Sequence, residues 1–342
     1  ILLGIAGLIV VSDIAIMLGA QGKMIEHCVT YGSILLYALP AYACQAYFQS
    51  LLVAAEKPQM GMWVTVGAGV ANVVLDLLFI GVWKWGLAGA AWATAISQFI
   101  GGGVPLAYFI AKRNSSMALR LGRCHIDIRA FVKVCSNGIS EFVMNISLSF
   151  VSMLYMYILL REVGENGVAA YGIMMYFAFT FVALFLGFGV GTAPVVSYNY
   201  GAKNANELKS LLRKSLTIII VTGVLVTIAA QCLALPLSAI FVSYDTELLN
   251  LTVRAFRIYS LMFIVAGFNI FASSFFTALN NGPVSAFISI LRTLVFEAGC
   301  VIVLPLIFGI EVIWWSVFVA ETITMIISFF MLFHYRKRYG YY

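Results

Sequence analysis

Three polar side chains lie inside a strongly apolar stretch of the sequence, residues 71–97. Asn72 and Asp76 are one helical turn apart, so both side chains share one face of a predicted helix. A short turn at residues 84–86 would bring Thr94, on the next helix, to a similar depth. Because such groups are costly in an apolar slab without a partner, the set predicts a site for a proton or a Na+ ion. The alternative is an aspartate that only joins two helices by a hydrogen bond.

Charged residues in the second half of the chain form another set of candidates. An arginine deep within apolar helices needs an anion, so Arg292 is expected to pair with Glu297 or Glu321. Such a pair more often ties two helices together than contacts a substrate. Glu141 and Asn145 are one turn apart near a helix end, where they could form a polar wall or gate. They could equally be hydrated at the membrane interface.

Aromatic residues are frequent in the same half of the chain, and Tyr155 and Tyr176 are among them. Their rings could line a cavity that holds organic cations by cation–π contact. The alternative is that these rings pack in the protein core or face lipid.

The composition predicts an all-α polytopic membrane protein. Hydrophobic residues make up 63% of the 342 residues and charged residues only 10%. A soluble domain has a charged share nearer to about 25%. The six cysteines occur singly, without a closely spaced pair, and the three histidines form no cluster. We therefore expect neither a structural metal nor a cofactor.

About ten membrane spans can be drawn, and the distribution of charge orients them. If the spans alternate, most lysines and arginines fall on one side, together with the tail after residue 335. The positive-inside rule makes that side cytoplasmic, so the C-terminus is predicted to be cytoplasmic in the plasma membrane. The net charge of +6 then reflects membrane topology. It does not indicate a nucleic-acid partner.

Two sections of the chain, 37–113 and 259–338, resemble each other, with matching prolines at Pro58 and Pro283. Each section holds three predicted spans that run in the same order across the membrane. Parallel repeats of this kind are typical of transporters with a substrate path between two lobes. The predicted domains are an N-lobe at 1–110, a cytoplasmic linker at 111–129, a C-lobe at 130–335 and a basic tail at 336–342. The incomplete first repeat predicts two further spans before Ile1.

Four motifs resemble the multidrug and toxic compound extrusion (MATE) family. They are NVVLDLLFI with GLAGAAWATAIS (72–97), GTAPVVSYNYGAKN (191–204), FFTALNNG (275–282) and ISILRTLVFEAG (288–299). The resemblance implies two pseudo-symmetric six-helix lobes, with about ten of the usual twelve helices in this chain. It also implies a monomer that exports small amphipathic organic cations by alternating access, driven by inward flow of H+ or Na+.

The family's cation sites transfer to this sequence only in part. In one branch the site is an Asn-x-x-x-Asp pair with a Thr on the next helix, which Asn72, Asp76 and Thr94 match. Its fourth member, an aspartate on the first helix, would precede Ile1. Another branch uses a glutamate in the seventh helix, but the matching position falls near Leu148, which cannot bind a cation.

Two other functions are compatible with a polytopic membrane protein. A flippase of lipid-linked saccharides, from the same wider superfamily, would need a strongly basic cavity, and Arg292 is the clear basic candidate at depth. A membrane-embedded enzyme would need clustered histidines or paired acids at catalytic spacing, and neither occurs. We therefore predict an antiporter that is not an enzyme.

Overall fold

Every regular element in the described part of the chain is a helix, which confirms the predicted all-α class. The computed structural model describes residues 1–17, 22–55, 57–111 and 127–341. Contacts divide the chain into two compact units, Ile1–His125 and Ile126–Tyr342. Most of the predicted linker lies outside the described residues.

The described residues of unit 1 (Ile1–His125) form four α-helices. They are α1 (Leu2–Met17), α2 (Lys23–Ala54), α3 (Pro58–Asp76) and α4 (Gly86–Ala111). Pro58 begins α3, a position where its missing N–H leaves no hydrogen bond unmade. Directly after Asp76 the helix widens into a π-helical segment, Leu77–Val82.

Helices α2 and α4 pack closely because α4 presents small residues to α2. A Cβ atom on Gly102 would lie 2.5 Å from the carbonyl oxygen of Ala41. A Cβ atom on Gly101 would lie 2.5 Å from the side-chain carboxamide carbon of Gln45. Small residues let membrane helices approach in this way, where van der Waals contact replaces the hydrophobic effect.

The turn between α3 and α4 lies where the sequence predicts it. Lys84 and Gly86 have positive φ angles of 55° and 57°, which reverse the chain. The rings of Phe79, Trp83 and Trp85 pack against one another with centroids 4.9–5.2 Å apart. This cluster closes the end of the helical hairpin that carries Asn72, Asp76 and Thr94.

The described residues of unit 2 (Ile126–Tyr342) form eight α-helices around one continuous hydrophobic core. They are α5 (Ile128–Glu162), α6 (Glu165–Gly201), α7 (Ala205–Val242), α8 (Thr246–Ser260), α9 (Phe263–Ala278), α10 (Gly282–Ile290), α11 (Ala298–Phe308) and α12 (Ser316–Tyr339). A second π-helical segment, Leu291–Glu297, joins α10 to α11, and a 3-10 turn, Ile310–Trp315, precedes α12.

Helices α8 and α9 are separated by a bend, where the sequence predicts a continuous helix at 251–279. The bend is 48° and contains no proline or glycine. Its cause is the carbonyl oxygen of Arg257, which accepts from Gln231 Nε2 of α7 at 2.7 Å and from Ser260 Oγ at 2.9 Å. The N–H of Leu261 bonds to the carbonyl of Ile258 instead, so the helix tightens and turns.

Six helices of the described residues are long and apolar enough to cross a membrane, or seven with the bent pair counted as one span. Helix α1 is apolar but has only 16 residues. The prediction of about ten spans remains a prediction.

The end of the chain folds back onto unit 2. Helix α12 continues to Tyr339, so the predicted tail at 336–342 is helical at its start. Gly340, with φ of 74°, turns the chain, and the Tyr341 hydroxyl donates to the carbonyl oxygen of Leu332 at 3.1 Å. Burial raises the pKa of the Tyr341 hydroxyl above its ordinary value.

Candidate ion-binding sites

The structure brings Asn72 and Thr94 together, as their spacing predicts. Asn72 Nδ2 lies 3.5 Å from Thr94 Oγ1, the long end of a hydrogen bond. The two helices meet here because they form a hairpin with a turn at residues 83–85. The pair links α3 to α4 and leaves the carboxamide oxygen of Asn72 available to another group.

Asp76 lies one helical turn from this pair, toward the hairpin turn. Its Oδ1 atom is buried and has no hydrogen-bond partner in the described part of the chain. A buried carboxylate oxygen without a donor is costly, and either a proton or a cation would remove that cost. The oxygens of Asp76, Asn72 and Thr94 are also of the type that hard cations prefer. The residues present therefore fit a coupling cation.

Sequence reasoning missed Gln98, which lies one turn after Thr94 on α4. Its Oε1 atom is also buried without a hydrogen-bond partner among the described residues. Four residues of helix correspond to about 6 Å, so Asp76 and Gln98 lie on opposite sides of the Asn72–Thr94 pair along the hairpin axis. The i, i+4 spacing of Thr94 and Gln98 was the sequence signal that could have identified Gln98 as a candidate.

Unit 2 contains a second polar cluster, centred on the carboxylate of Glu321 in α12. Arg292 Nε donates to Glu321 Oε1 at 2.8 Å, and Asn269 Nδ2 of α9 donates to Glu321 Oε2 at 2.7 Å. Of the two partners that the sequence leaves open for Arg292, the structure selects Glu321. The Oδ1 atom of the fully buried Asn269 has no partner within the described ranges.

Glu297, at the end of the π-helical segment, lies close to the same cluster. It is partly buried and within electrostatic range of Glu321 and of Tyr155, Tyr171 and Tyr259. The rings of Tyr155 and Tyr171 stack with centroids 4.9 Å apart. Tyr155 thus packs in the core of unit 2.

The remaining candidates lie in different surroundings. Tyr176 is 71% exposed and its ring stacks against Phe241. Asn145 is exposed beside a shallow surface cavity of about 440 Å³. The side chain of Glu141 lies outside the described residues. The structure does not bring Tyr176 together with Tyr155, since one is exposed and the other is buried.

The part of the chain that the structure describes contains no candidate site for a metal ion held by several strong ligands. No group of three or more His, Cys, Asp or Glu side chains is close enough together there to hold a metal ion. Five cysteines of the described residues are free thiols.

Comparison with known proteins gives consistent matches. The family model described as MatE matches residues 1–78 and 142–302. The multidrug export protein MepA of Staphylococcus saprophyticus is 23% identical over 327 residues, covering 95% of this chain and 71% of that protein.

Solved structures match over nearly the whole chain. An outward-facing multidrug resistance MATE family transporter of the MOP superfamily aligns with a TM-score of 0.90 at 19% identity, covering 99% of this chain and 76% of that one. A MOP superfamily transporter from Pyrococcus furiosus, in which reverse polarity of the binding pocket suggests a different function, aligns with a TM-score of 0.88 at 21% identity. That alignment covers 98% of this chain and 75% of the other. At these identities the likeness concerns the fold.

Proposed function

Because this chain belongs to the multidrug and toxic compound extrusion (MATE) family, we propose that it exports organic cations in exchange for inward-moving H+ or Na+. The family match confirms the resemblance drawn from the four sequence motifs. The family consists of membrane efflux transporters, so the protein is a multi-pass membrane transporter and is not assigned a chemical reaction.

The observation that carries the coupling proposal is the unpaired, buried Oδ1 atom of Asp76. A proton on this carboxylate, or a Na+ ion shared with Asn72 and Thr94, satisfies it. A bound ion can shift a conformational equilibrium only if the two states bind it with unequal affinity. Asp76 is placed for this, since it ends a regular helix and a π-helical segment begins at the next residue. Such segments occur often at functional sites in helices.

The substrate proposal draws on the relatives and on the family resemblance. MepA is named as a multidrug export protein, which supports small organic compounds as the cargo. Cationic, amphipathic compounds are the cargo that the family resemblance implies. We also propose that the protein has two lobes and transports by alternating access. It would do so as a monomer in the plasma membrane.

A lipid-linked saccharide flippase is less well supported, because the deep arginine is not available to an anionic substrate. The side chain of Arg292 is 17% exposed and that of Glu321 is 4% exposed, and they form an ion pair at 2.8 Å. This pairing neutralises the basic residue on which the flippase hypothesis depends.

The test is efflux of a fluorescent organic cation from vesicles under separate H+ and Na+ gradients. We expect Asp76→Asn to abolish gradient-driven efflux, because an amide neither takes up the proton nor offers the ion a charge. The gradient that drives the wild-type protein identifies the coupling ion.

Asp13→Asn is the matched control. Asp13 is also an acidic residue in an apolar helix of unit 1, but it is exposed. Asp13→Asn should export like the wild-type protein. If Asp76→Asn is folded in the membrane and still couples efflux to a gradient, Asp76 is structural and the proposed coupling site is wrong.

A further inference from the structure

Among the described residues of unit 2, the charged side chains Arg292, Glu297 and Glu321 lie close together, and two of them neutralise each other. Glu321 receives one hydrogen bond on each oxygen, from Arg292 at 2.8 Å and from Asn269 at 2.7 Å. A carboxylate with a cation on one oxygen and an amide N–H on the other is stabilised in its ionised form. The Arg292–Glu321 pair therefore has no net charge.

Glu297 takes no part in the Arg292–Glu321 ion pair. Its carboxylate makes no hydrogen bond and no ion pair with any described residue. When all three side chains are ionised, the cluster carries one uncompensated negative charge within an apolar helical span. Such a charge is costly, and its position in a membrane helix indicates a functional group.

The groups around Glu297 do not supply a compensating charge. It lies on a π-helical segment that packs against α5, α10, α11 and α12. The charged or titratable side chains in its electrostatic range are Arg292 on the same segment, Glu321 on α12, Tyr155 on α5, Tyr171 on α6, Tyr259 on α8 and Cys300 on α11. Helix α10 has no titratable residue. The only cation in this set is Arg292, which Glu321 already holds.

The packing around Glu297 suits a proton better than a larger ligand. Tyr155, Tyr171 and Tyr259 are buried, so their rings offer no exposed face to an organic cation. A Na+ ion needs several oxygen ligands arranged around it, whereas the three tyrosine hydroxyls donate to three separate acceptors. They donate to the carbonyl oxygen of Ile313 at 3.3 Å, to Ser152 Oγ at 3.5 Å and to Met175 Sδ at 3.7 Å, respectively. A proton needs only the carboxylate.

A second observation marks the cluster as one with an unfilled hydrogen-bonding position. Asn269 is fully buried, and its Oδ1 atom has no donor among the described residues. Asn269 contacts the same Glu321 that lies within electrostatic range of Glu297. An acceptor in this state is suited to a mobile proton donor such as a water molecule or a carboxylic acid O–H.

We propose that Glu297 is a proton-binding site of unit 2, in addition to the coupling site at Asp76 in unit 1. The carboxylate takes up one proton to become a neutral carboxylic acid, while Glu321 keeps its ion pair with Arg292. Only the role of Glu297 in transport rests on the proposed export function. Proton binding itself can be measured without transport.

The experiment is infrared difference spectroscopy of the purified, full-length protein in lipid, recorded across a pH series. A protonated carboxyl group gives a C=O stretching band that disappears when the proton leaves. We expect Glu297→Gln to lose one component of this band. The glutamine has the shape and neutrality of the protonated acid, so the variant should fold.

Glu311→Gln is the matched control. Glu311 also lies in unit 2 and also has an arginine nearby, Arg254 at 2.6 Å, but its side chain is 72% exposed. Its spectrum should keep the component that Glu297→Gln loses. Glu297→Asp provides a second variant that keeps a carboxyl group, so the component should persist there at a shifted frequency or midpoint.

An unchanged carboxyl band in Glu297→Gln overturns the proposal, as does an equal loss in Glu311→Gln. The Asp76→Asn spectrum separates this proposal from the previous one, because any component that it lacks belongs to unit 1. Efflux driven by the Asp76 site can fail its own test while the Glu297 band is present. Conversely, Asp76→Asn can abolish efflux while Glu297→Gln leaves the carboxyl band unchanged, and that result overturns only the Glu297 proposal.

Discussion

Thr94 holds a position from which the two possible coupling ions can be told apart. Its hydroxyl accepts from Asn72 at 3.5 Å, and Asp76 lies one turn away on the same hairpin. A proton binds to the carboxylate alone, whereas Na+ draws its ligands from several oxygens. The contribution of the hydroxyl therefore depends on which ion the protein uses.

We expect Thr94→Val to raise the Na+ concentration for half-maximal efflux by about tenfold if Na+ is the coupling ion. Loss of one oxygen ligand worth about 1.4 kcal/mol gives a change of that size. If H+ is the coupling ion instead, the same variant should export like the wild-type protein under a proton gradient. The measurement is efflux rate against Na+ concentration and, separately, against the pH gradient.

Thr94→Ser keeps the oxygen and should behave like the wild-type protein in both assays. An equal loss of proton-driven and Na+-driven efflux in Thr94→Val would show that Thr94 acts through packing.

At the scale of helices, the sequence predicted regular elements well and their irregularities poorly. The turn at 84–86 was predictable because a polar residue and a glycine interrupt two apolar runs. The π-helical segments at 77–82 and 291–297 were not, since neither contains a proline that would mark an irregularity and tertiary packing sets the wider turn. The bend between α8 and α9 depends on Gln231, a residue of another helix.

The close packing of Gly102 of α4 against α2 gives a prediction about stability. We expect Gly102→Ala to destabilise the protein by about 1–3 kcal/mol, because its Cβ would meet the Ala41 carbonyl oxygen and the backbones of α2 and α4 must separate. The measurement is the midpoint of thermal unfolding in detergent.

Gly103 is the internal control for that measurement. A Cβ atom on Gly103 meets nothing within 4 Å, so Gly103→Ala should leave the midpoint unchanged or raise it slightly. Equal effects of the two substitutions would contradict close α2–α4 packing as the cause.

For the whole molecule, the unequal distribution of positive charge predicts the orientation in the membrane. Arg336, Lys337 and Arg338 lie in the last turn of α12, near the C-terminus. We expect a green fluorescent protein fused after residue 342 to be fluorescent and an alkaline phosphatase fused there to be inactive, because the positive-inside rule places this end in the cytoplasm. The reverse pattern would overturn the predicted topology.

The bend between α8 and α9 has a consequence for anyone who wishes to redesign this transporter. The carbonyl oxygen of Arg257 at the bend accepts from Gln231 of α7, 26 residues earlier along the chain, and from Ser260 of α8 itself. Mutagenesis confined to α8 and α9 would leave the Gln231 amide in place. Straightening this pair of helices therefore needs a change in a neighbouring helix as well.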